Sequence, residues 1–494
     1  MPRALLILLI VSTLARLALA GVLDLGQDEA YALAVSRSFQ WSFFDHPPLA
    51  FWTAGLMQAV FGRQLPPLLL RLPFVLMFSG STWALFALTR RFYGSRAGLW
   101  AAGLLTTAPF FFASAGSWVV PDGPLLLTLL LAAIFLARAL AEQSDDGHWA
   151  DWLWTGLFLG LALLSKYQAL LVLFGGLLVL LLPANRKWLL RPQPYVALVL
   201  AFLLFTPVVW WNAANGWVSF AFQLGRGDGT GGLDLRRFAD LLSGEALYLL
   251  PWLLIALLLA AGASLRAGAG RFFVALALPT LVVFNLLPLA GASGLPHWSM
   301  AGWLFLFPPL GALAAGAEGQ GRRWPALLGG VSALALIAIA VGAVLLVSNW
   351  RIFPGNRALN HFLIEATSWT GVRDGMAAKG LLDRPGTFLA AVSWLDGAHL
   401  AEALRPAEPP VVLGGDPRGF AFVQNANAHL GEDAIFVASA EALGGVRLFA
   451  AAHFDSVEQI GTFETQKGGL PAYRQTVILA HHFSTPVAVP YGLK

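Results

Sequence analysis

A chain of 494 residues with 57% hydrophobic side chains, 12% charged ones and a mean hydropathy of +0.69 has too little polar surface to be a soluble globular protein. The formal charge of +4 is informative through its placement rather than its total, and no nucleic-acid partner is expected. With no Cys, disulfides and thiol chemistry are excluded.

Residues 4–20 are nearly all apolar, with Arg16 the one charge, and form the first of about eleven predicted spans of the ~20 residues a bilayer requires. The others centre near Phe78, Thr106, Leu130, Gly160, Gly176, Phe202, Leu253, Leu281, Phe307 and Ile337, with those at Gly160 and Gly176 short. A cleaved signal peptide is the rival reading of the first segment, but the many later spans favour a retained helix.

Behind it lies a patterned loop, residues 21–66, containing GQDEAYALAVSRSFQWSFFDHPPL. Asp28 and Glu29 suit a helix start, where carboxylates complement the dipole, and residues 30–39 continue that helix. On a helix these neighbours diverge by about 100°. One therefore does chemistry while the other orients or caps, and Asp28 is the expected general base. Pro47 and Pro48 open a second helix that ends near Gly62. At ~1.5 Å per residue it reaches only ~20 Å, so it is expected along the membrane surface. Asp45 and His46 sit at its start, where backbone donors face incoming anions. His46 is expected to meet a phosphate as cation or donor while Asp45 holds its other nitrogen; an ordinary cap is the alternative.

Arg71 in LLLRLPF and His297 in LPHWSM lie at ends of predicted spans, as interfacial anchors or ligand contacts. Asp122 occupies the turn WVVPDGPLL. Lys166 and Tyr167, in LLSKYQALL, fall between two short spans, where an anionic headgroup is a natural partner for the ammonium. Asn212 opens a loop, residues 212–240, whose LGRGDGTGG run carries Arg226 and Asp228 and reads as a flap. It lacks the Lys-Ser/Thr ending of a phosphate-binding loop. Trp210, Trp211, Trp217 and Trp298 fit an aromatic belt.

Past about residue 349 the composition turns polar. Strands are expected at 387–392, 410–413, 434–437, 446–451 and 476–480, with a helix at 396–404, giving a small mixed α/β domain over 349–494. His453, His481 and His482 do not suggest a metal site, because adjacent residues of a strand face opposite ways.

The clusters Arg90/Arg91/Arg96, Arg186/Lys187/Arg191, Arg266/Arg271 and Arg322/Arg323, with Arg3, fall on one side of this topology. By the positive-inside rule that side is cytoplasmic. The loops carrying Asp28, Asp122, Lys166 and His297, and the C-terminal domain, are then periplasmic.

The segments QDEAYALAVSRSFQWSFFDHPPL, VVPDGPL, LLSKYQALL and PVVWWNAANGWVSFAFQ together resemble the bacterial branch of the dolichyl-phosphate-mannose protein mannosyltransferase family, the GT-C class that includes the lipid A aminoarabinose transferases. The resemblance runs over roughly residues 1–320. It implies an all-α polytopic membrane protein of GT-C fold over 1–348, with surface helices on its outer face, plus the α/β domain outside the bacterial inner membrane. It also implies an inverting glycosyltransferase taking a sugar from a polyprenyl phosphate to a hydroxyl of a glycolipid or glycan of the lipid A or lipopolysaccharide kind. On that reading Asp28 is base or acceptor-orienting group, with Glu29 beside it. Asp45, His46, Lys166, Tyr167 and Arg71 face the donor phosphate, and Asp122, Asn212 and His297 serve the acceptor or support the site. The aminoarabinose transferases carry an acid-lysine pair where this chain has Asp45 and His46, so a titratable group replaces a permanent charge that Lys166 would then supply. No bound metal is assigned, and a divalent cation is left open. A protein O-mannosyltransferase on the same scaffold, and a lipid-linked sugar transporter or flippase, are the alternatives.

Overall fold

The architecture is given by a computed structural model that describes residues 1–141, 149–227, 232–266, 268–348, 368–382, 384–467 and 470–492. Asp228 and the chain just past the expected boundary at 348 lie outside the described residues. Among the described residues, seven helices are long and apolar enough to cross a membrane: Arg3–Val22, Pro67–Thr107, Asp122–Ala141, Gln193–Ala214, Gly268–Ala290, Met300–Gly319 and Trp324–Leu345. The pair Leu235–Leu249 and Pro251–Ser264, bent by 98° at Leu250 with φ 72°, makes an eighth if counted as one span. The protein is a multi-pass membrane protein.

Each of the eleven expected centres falls in an apolar helix, but their lengths differ from the simple expectation. Phe78 and Thr106 share the 41-residue element Pro67–Thr107, which breaks at Gly94, φ 84°, a backbone conformation that side chains with a Cβ avoid. Gly160 and Gly176 lie in helices Trp149–Ser165 and Ala169–Leu181, each shorter than a full crossing. The helices pack into one core that includes Phe78, Leu104, Phe111, Leu129, Phe273 and Phe307. Arg16 is fully buried in that bundle, its guanidinium 4.5 Å from the Phe78 ring centre and 5.1 Å from that of Phe112.

The 21–66 loop forms helices Gln27–Val35 and Leu49–Phe61, the second ending at Gly62, φ 81°. It buries Ala50, Phe51, Ala54 and Gln58 and leaves Leu56, Val60 and Phe61 exposed, the face an interfacial helix turns to lipid.

Five strands make the C-terminal sheet: β1 (Thr387–Ser393), β2 (Val411–Asp416), β3 (Asp433–Ser439), β4 (Phe454–Lys467) and β5 (Leu470–Phe483), in the order β2-β1-β3-β5-β4. The first three are parallel, and β5 pairs antiparallel with β3 and β4. The strand expected at 446–451 is instead part of helix Leu443–His453. There Val446 and Ala450, one helical turn apart, are the buried positions, while Leu448 between them is 76% exposed.

Alternation along the strands separates two cores. Phe388, Ala390, Phe436 and Ile478 face helix Leu443–His453, whereas Ala391, Ile435, Val437 and Leu479 face the other way. This second face does not close on its own domain. Its core runs through helix Trp394–Leu404 into Tyr31, Leu33, Ala34, Phe43 and Phe51 of the first loop, so loop and domain bury one continuous apolar interior. Arg37 adds hydrogen bonds to the carbonyls of Pro406 at 2.7 Å and Ala401 at 3.3 Å, and Gln40 donates to the Phe422 carbonyl at 2.9 Å. The C-terminal domain is thereby fixed over the helix ends that carry the candidate residues.

Candidate active site

Asp28 and Glu29 occupy the first turn of helix Gln27–Val35, and the helix turns them in opposite senses. Glu29 points inward to Arg71, which is 1% exposed and donates from Nε to Oε1 at 2.8 Å and from Nη2 to Oε2 at 2.5 Å. The remaining N–H groups of Arg71 reach the carbonyls of Ala20, Leu23 and Asp24 at 2.7–2.8 Å, which accounts for all five donors of a guanidinium. Glu29 also accepts from the backbone N–H groups of Gly26 and Val119, both at 3.0 Å. This is a closed clamp joining the first membrane helix, the loop and the turn before Asp122. It corrects the expected placement of Arg71 toward a phosphate, since no donor is left, and it leaves both Glu29 oxygens engaged.

Asp28 is the opposite case. Its carboxylate is open to solvent and has no hydrogen-bond partner among the described residues, although protein surrounds it closely. Burial raises its pKa above the ordinary value, while the charges of Arg418, Lys166 and Arg226 pull it back down. An unpaired carboxylate that feels the charges of three cations can take a proton and can sit beside an anionic leaving group.

Asp45 and His46 do not pair with each other. Asp45 is buried and its Oδ1 accepts from Tyr31 Oη at 3.0 Å, while Tyr31 Oη accepts from the Gly419 N–H at 2.9 Å. A Cβ on Gly419 would lie 2.4 Å from that hydroxyl, so only glycine permits the contact. Desolvation pushes the Asp45 pKa up to about 6, against the attraction of Arg418. His46 is pushed well below its ordinary value by burial and then by Lys166, which favours the donor over the cation of the two expected roles; its Nδ1 is buried without a partner among the described residues.

Lys166 is 2% exposed and bound to both oxygens of Asp122, at 2.8 and 3.0 Å. The partner expected from a ligand is thus supplied from within, in a buried pair of no net charge. Tyr167 Oη shares a 2.7 Å hydrogen bond with Ser219 Oγ, and Asn212, fully buried, accepts from the Phe220 N–H at 3.2 Å. Both tie helix Val218–Gly225, the start of the flap, to the bundle. His297 is held down to about 3 by burial and by Lys166, so it too is neutral. Trp210 and Trp217 are exposed as belt residues should be, but Trp211 and Trp298 are buried. Trp211 donates to Gln40 Oε1 at 3.0 Å, and Trp298 lies under the Arg226 guanidinium at 5.3 Å.

Two arginines supply the permanent charge. Arg226 leans on Phe222 at 4.9 Å as well as Trp298, and its charge acts on both Asp28 and Asp45. Arg418, in the loop after β2, lies 3.9 Å above the Trp394 ring and loosely approaches Asp416 at 3.5 Å. Arg226 was visible in the sequence only as a charge on a flap. Arg418 gave one faint signal: the tight Asp-Pro-Arg-Gly turn at the carboxyl end of a parallel strand, where such sheets present ligand contacts. Among the described residues no three of His, Asp and Glu gather to hold a metal ion.

Residues 45–211 match the sequence profile of the family described as dolichyl-phosphate-mannose-protein mannosyltransferase. A curated relative, lipid A galacturonosyltransferase RgtD of Rhizobium johnstonii, is 26% identical over 189 residues, and that alignment spans 38% of each chain. Crystal structures of ArnT from Cupriavidus metallidurans superpose over 97% of this chain and 99% of theirs. The apo form has a TM-score of 0.64 at 16% identity, and the form bound to undecaprenyl phosphate 0.63 at 17%. The oligosaccharyltransferase AglB of Archaeoglobus fulgidus, in complex with an inhibitory peptide and a dolichol phosphate, reaches 0.50 at 13% identity over 95% of this chain and 74% of its own. The fold is therefore that of ArnT, a GT-C fold of membrane helices followed by a small C-terminal sheet domain.

Proposed function

We propose that this protein is an inverting glycosyltransferase that moves a sugar from a polyprenyl-phosphate donor to a hydroxyl of a cell-envelope glycolipid or glycan of the lipid A or lipopolysaccharide kind. The observation that carries the reading is the unpartnered Asp28 carboxylate within electrostatic reach of Arg226 and Arg418. The acceptor oxygen attacks the anomeric carbon as its proton passes to Asp28, and the bond from that carbon to the phosphate oxygen breaks. The electron pair leaves with the polyprenyl phosphate, whose growing charge Arg226 and Arg418 stabilise. Neutral His46 donates a hydrogen bond to the substrate, and the Lys166–Asp122 pair lends field without net charge. Glu29, Arg71, Asp45 and Tyr31 hold the loop that presents Asp28.

The lipid A transferase among the relatives and the undecaprenyl phosphate bound by ArnT support this donor and acceptor class. The positive-inside bias of the basic loops supports a periplasmic position for Asp28 at the inner membrane. Mass spectrometry of envelope lipids and glycans from cells with and without the protein tests the proposal. Loss of one sugar mass from a lipid or glycan is expected. Sugar lost from protein instead would redirect the reading to protein O-glycosylation, and movement of a lipid-linked sugar without any new bond would replace it with transport.

A further inference from the structure

A cavity of about 420 Å³ lies where the C-terminal domain meets the end of helix Gln193–Ala214. This is within the ~300–1,000 Å³ of small-ligand sites. Its lining contains no ionisable side chain. The polar part is made of amides, chiefly Asn215, Gln424 and Asn425, beside the rings of Trp211 and Phe422.

Each of those three amides is anchored at one end. Asn215 Nδ2 donates to the Trp211 carbonyl at 2.8 Å, Gln424 Nε2 donates to the Pro409 carbonyl at 3.2 Å, and Asn425 Oδ1 accepts from the Asn427 N–H at 3.1 Å. The opposite ends, two carbonyl oxygens and one NH₂ group, have no partner among the described residues. Fixed acceptors and a fixed donor next to aromatic faces suit a ligand rich in hydroxyls, each of which both donates and accepts. The lack of charge selects against phosphate and carboxylate, which need a compensating cation when desolvated.

One layer of rings separates the cavity from Asp45 and Arg418. Phe422 packs on Phe44 and Tyr491, with centroids 5.9 Å apart in each case; Phe44 adjoins Asp45, and Tyr491 Oη accepts from the Arg418 N–H at 3.0 Å. We infer that this cavity is a subsite for neutral saccharide units of the acceptor, seating the glycan while a hydroxyl further along it reaches Asp28. The inference rests on the transferase reading and deepens it, because it makes the acceptor a glycan larger than the residue that receives the sugar.

Saturation-transfer NMR on the full chain in lipid nanodiscs tests it, with core oligosaccharide cut from lipopolysaccharide and stripped of phosphate as the probe. Ala488→Trp fills the cavity from an exposed loop position, and Gln424→Ala/Asn425→Ala removes two of the free amide ends. The stripped oligosaccharide should bind the wild type and bind either variant about tenfold more weakly. In transfer assays KM for the acceptor should rise about tenfold with kcat changed by less than about twofold. Asp28→Asn should bind the probe as the wild type does, so failure of catalysis and failure of the subsite read separately. No binding to the wild type, binding indifferent to both variants, or displacement of the oligosaccharide by a Ser/Thr-rich peptide would overturn the inference.

Discussion

Asp28 and Glu29 are chain neighbours and structural opposites. Glu29 is 2% exposed, doubly bonded to Arg71 and bonded twice more to backbone N–H groups, so its charge is spent on geometry. Asp28 is open and unpartnered, and its proton affinity is raised by burial while three cations restrain it. A saturated carboxylate fixes a scaffold, and an unsaturated one held by that scaffold is available to a substrate. The same division separates Lys166, satisfied by Asp122, from Arg226 and Arg418, which rest on aromatic rings, Arg418 with only a loose approach to Asp416.

The sharpest way to break this comparison is to neutralise each acid in turn. Asp28→Asn is expected to lower the transfer rate by about 10²–10⁴, the usual worth of a general base, with unfolding temperature unchanged or raised. Glu29→Gln should instead cost about 3–5 kcal/mol of stability, because it strands a buried guanidinium. Thermal unfolding in detergent, with activity normalised to folded protein, distinguishes the two losses.

Asp45 gives the contrast a pH axis. Its folded pKa of about 6 lies above the ordinary 3.8, so between those values the folded state holds more protons than the unfolded one. Stability therefore falls as pH rises from about 4 to about 6, by up to roughly 3 kcal/mol from this group. Asp45→Asn keeps an acceptor for Tyr31 and should lose that part of the slope, as unfolding curves across the range would report. Arg418→Ala should lower kcat/KM by about tenfold to a hundredfold, the scale of charged hydrogen bonds to a phosphate, with Arg418→Lys recovering part of it. An unchanged kcat/KM would remove the C-terminal domain from the chemistry.

The helices were legible because hydropathy directly reports burial in lipid, and the loop helices because Pro48 and Gly62 mark the bounds of the second one. β4 was missed: FDSVEQIGTFETQK is polar, as suits a strand at the sheet edge, and carries little hydrophobic signal. Helix Leu443–His453 was misread because Val, Leu and Phe bunch where the decisive spacing is Val446 to Ala450. In the site, the chemistry-bearing residues were visible but their partners were not. Glu29 meets Arg71 from 42 positions away and Tyr31 meets Gly419 from 388, separations at which residue type carries no information about contact. Arg418 comes within electrostatic reach of Asp28 and Asp45 only because loop and domain share one core.

The most direct measurement separates donor binding from bond cleavage in purified protein, using a synthetic polyprenyl-phosphate sugar followed by ³¹P NMR. Wild type and Asp28→Asn are expected to bind the lipid with the same Kd, and only the wild type to release free polyprenyl phosphate when acceptor is added. Release by Asp28→Asn at the wild-type rate would contradict the assignment of Asp28 as the base.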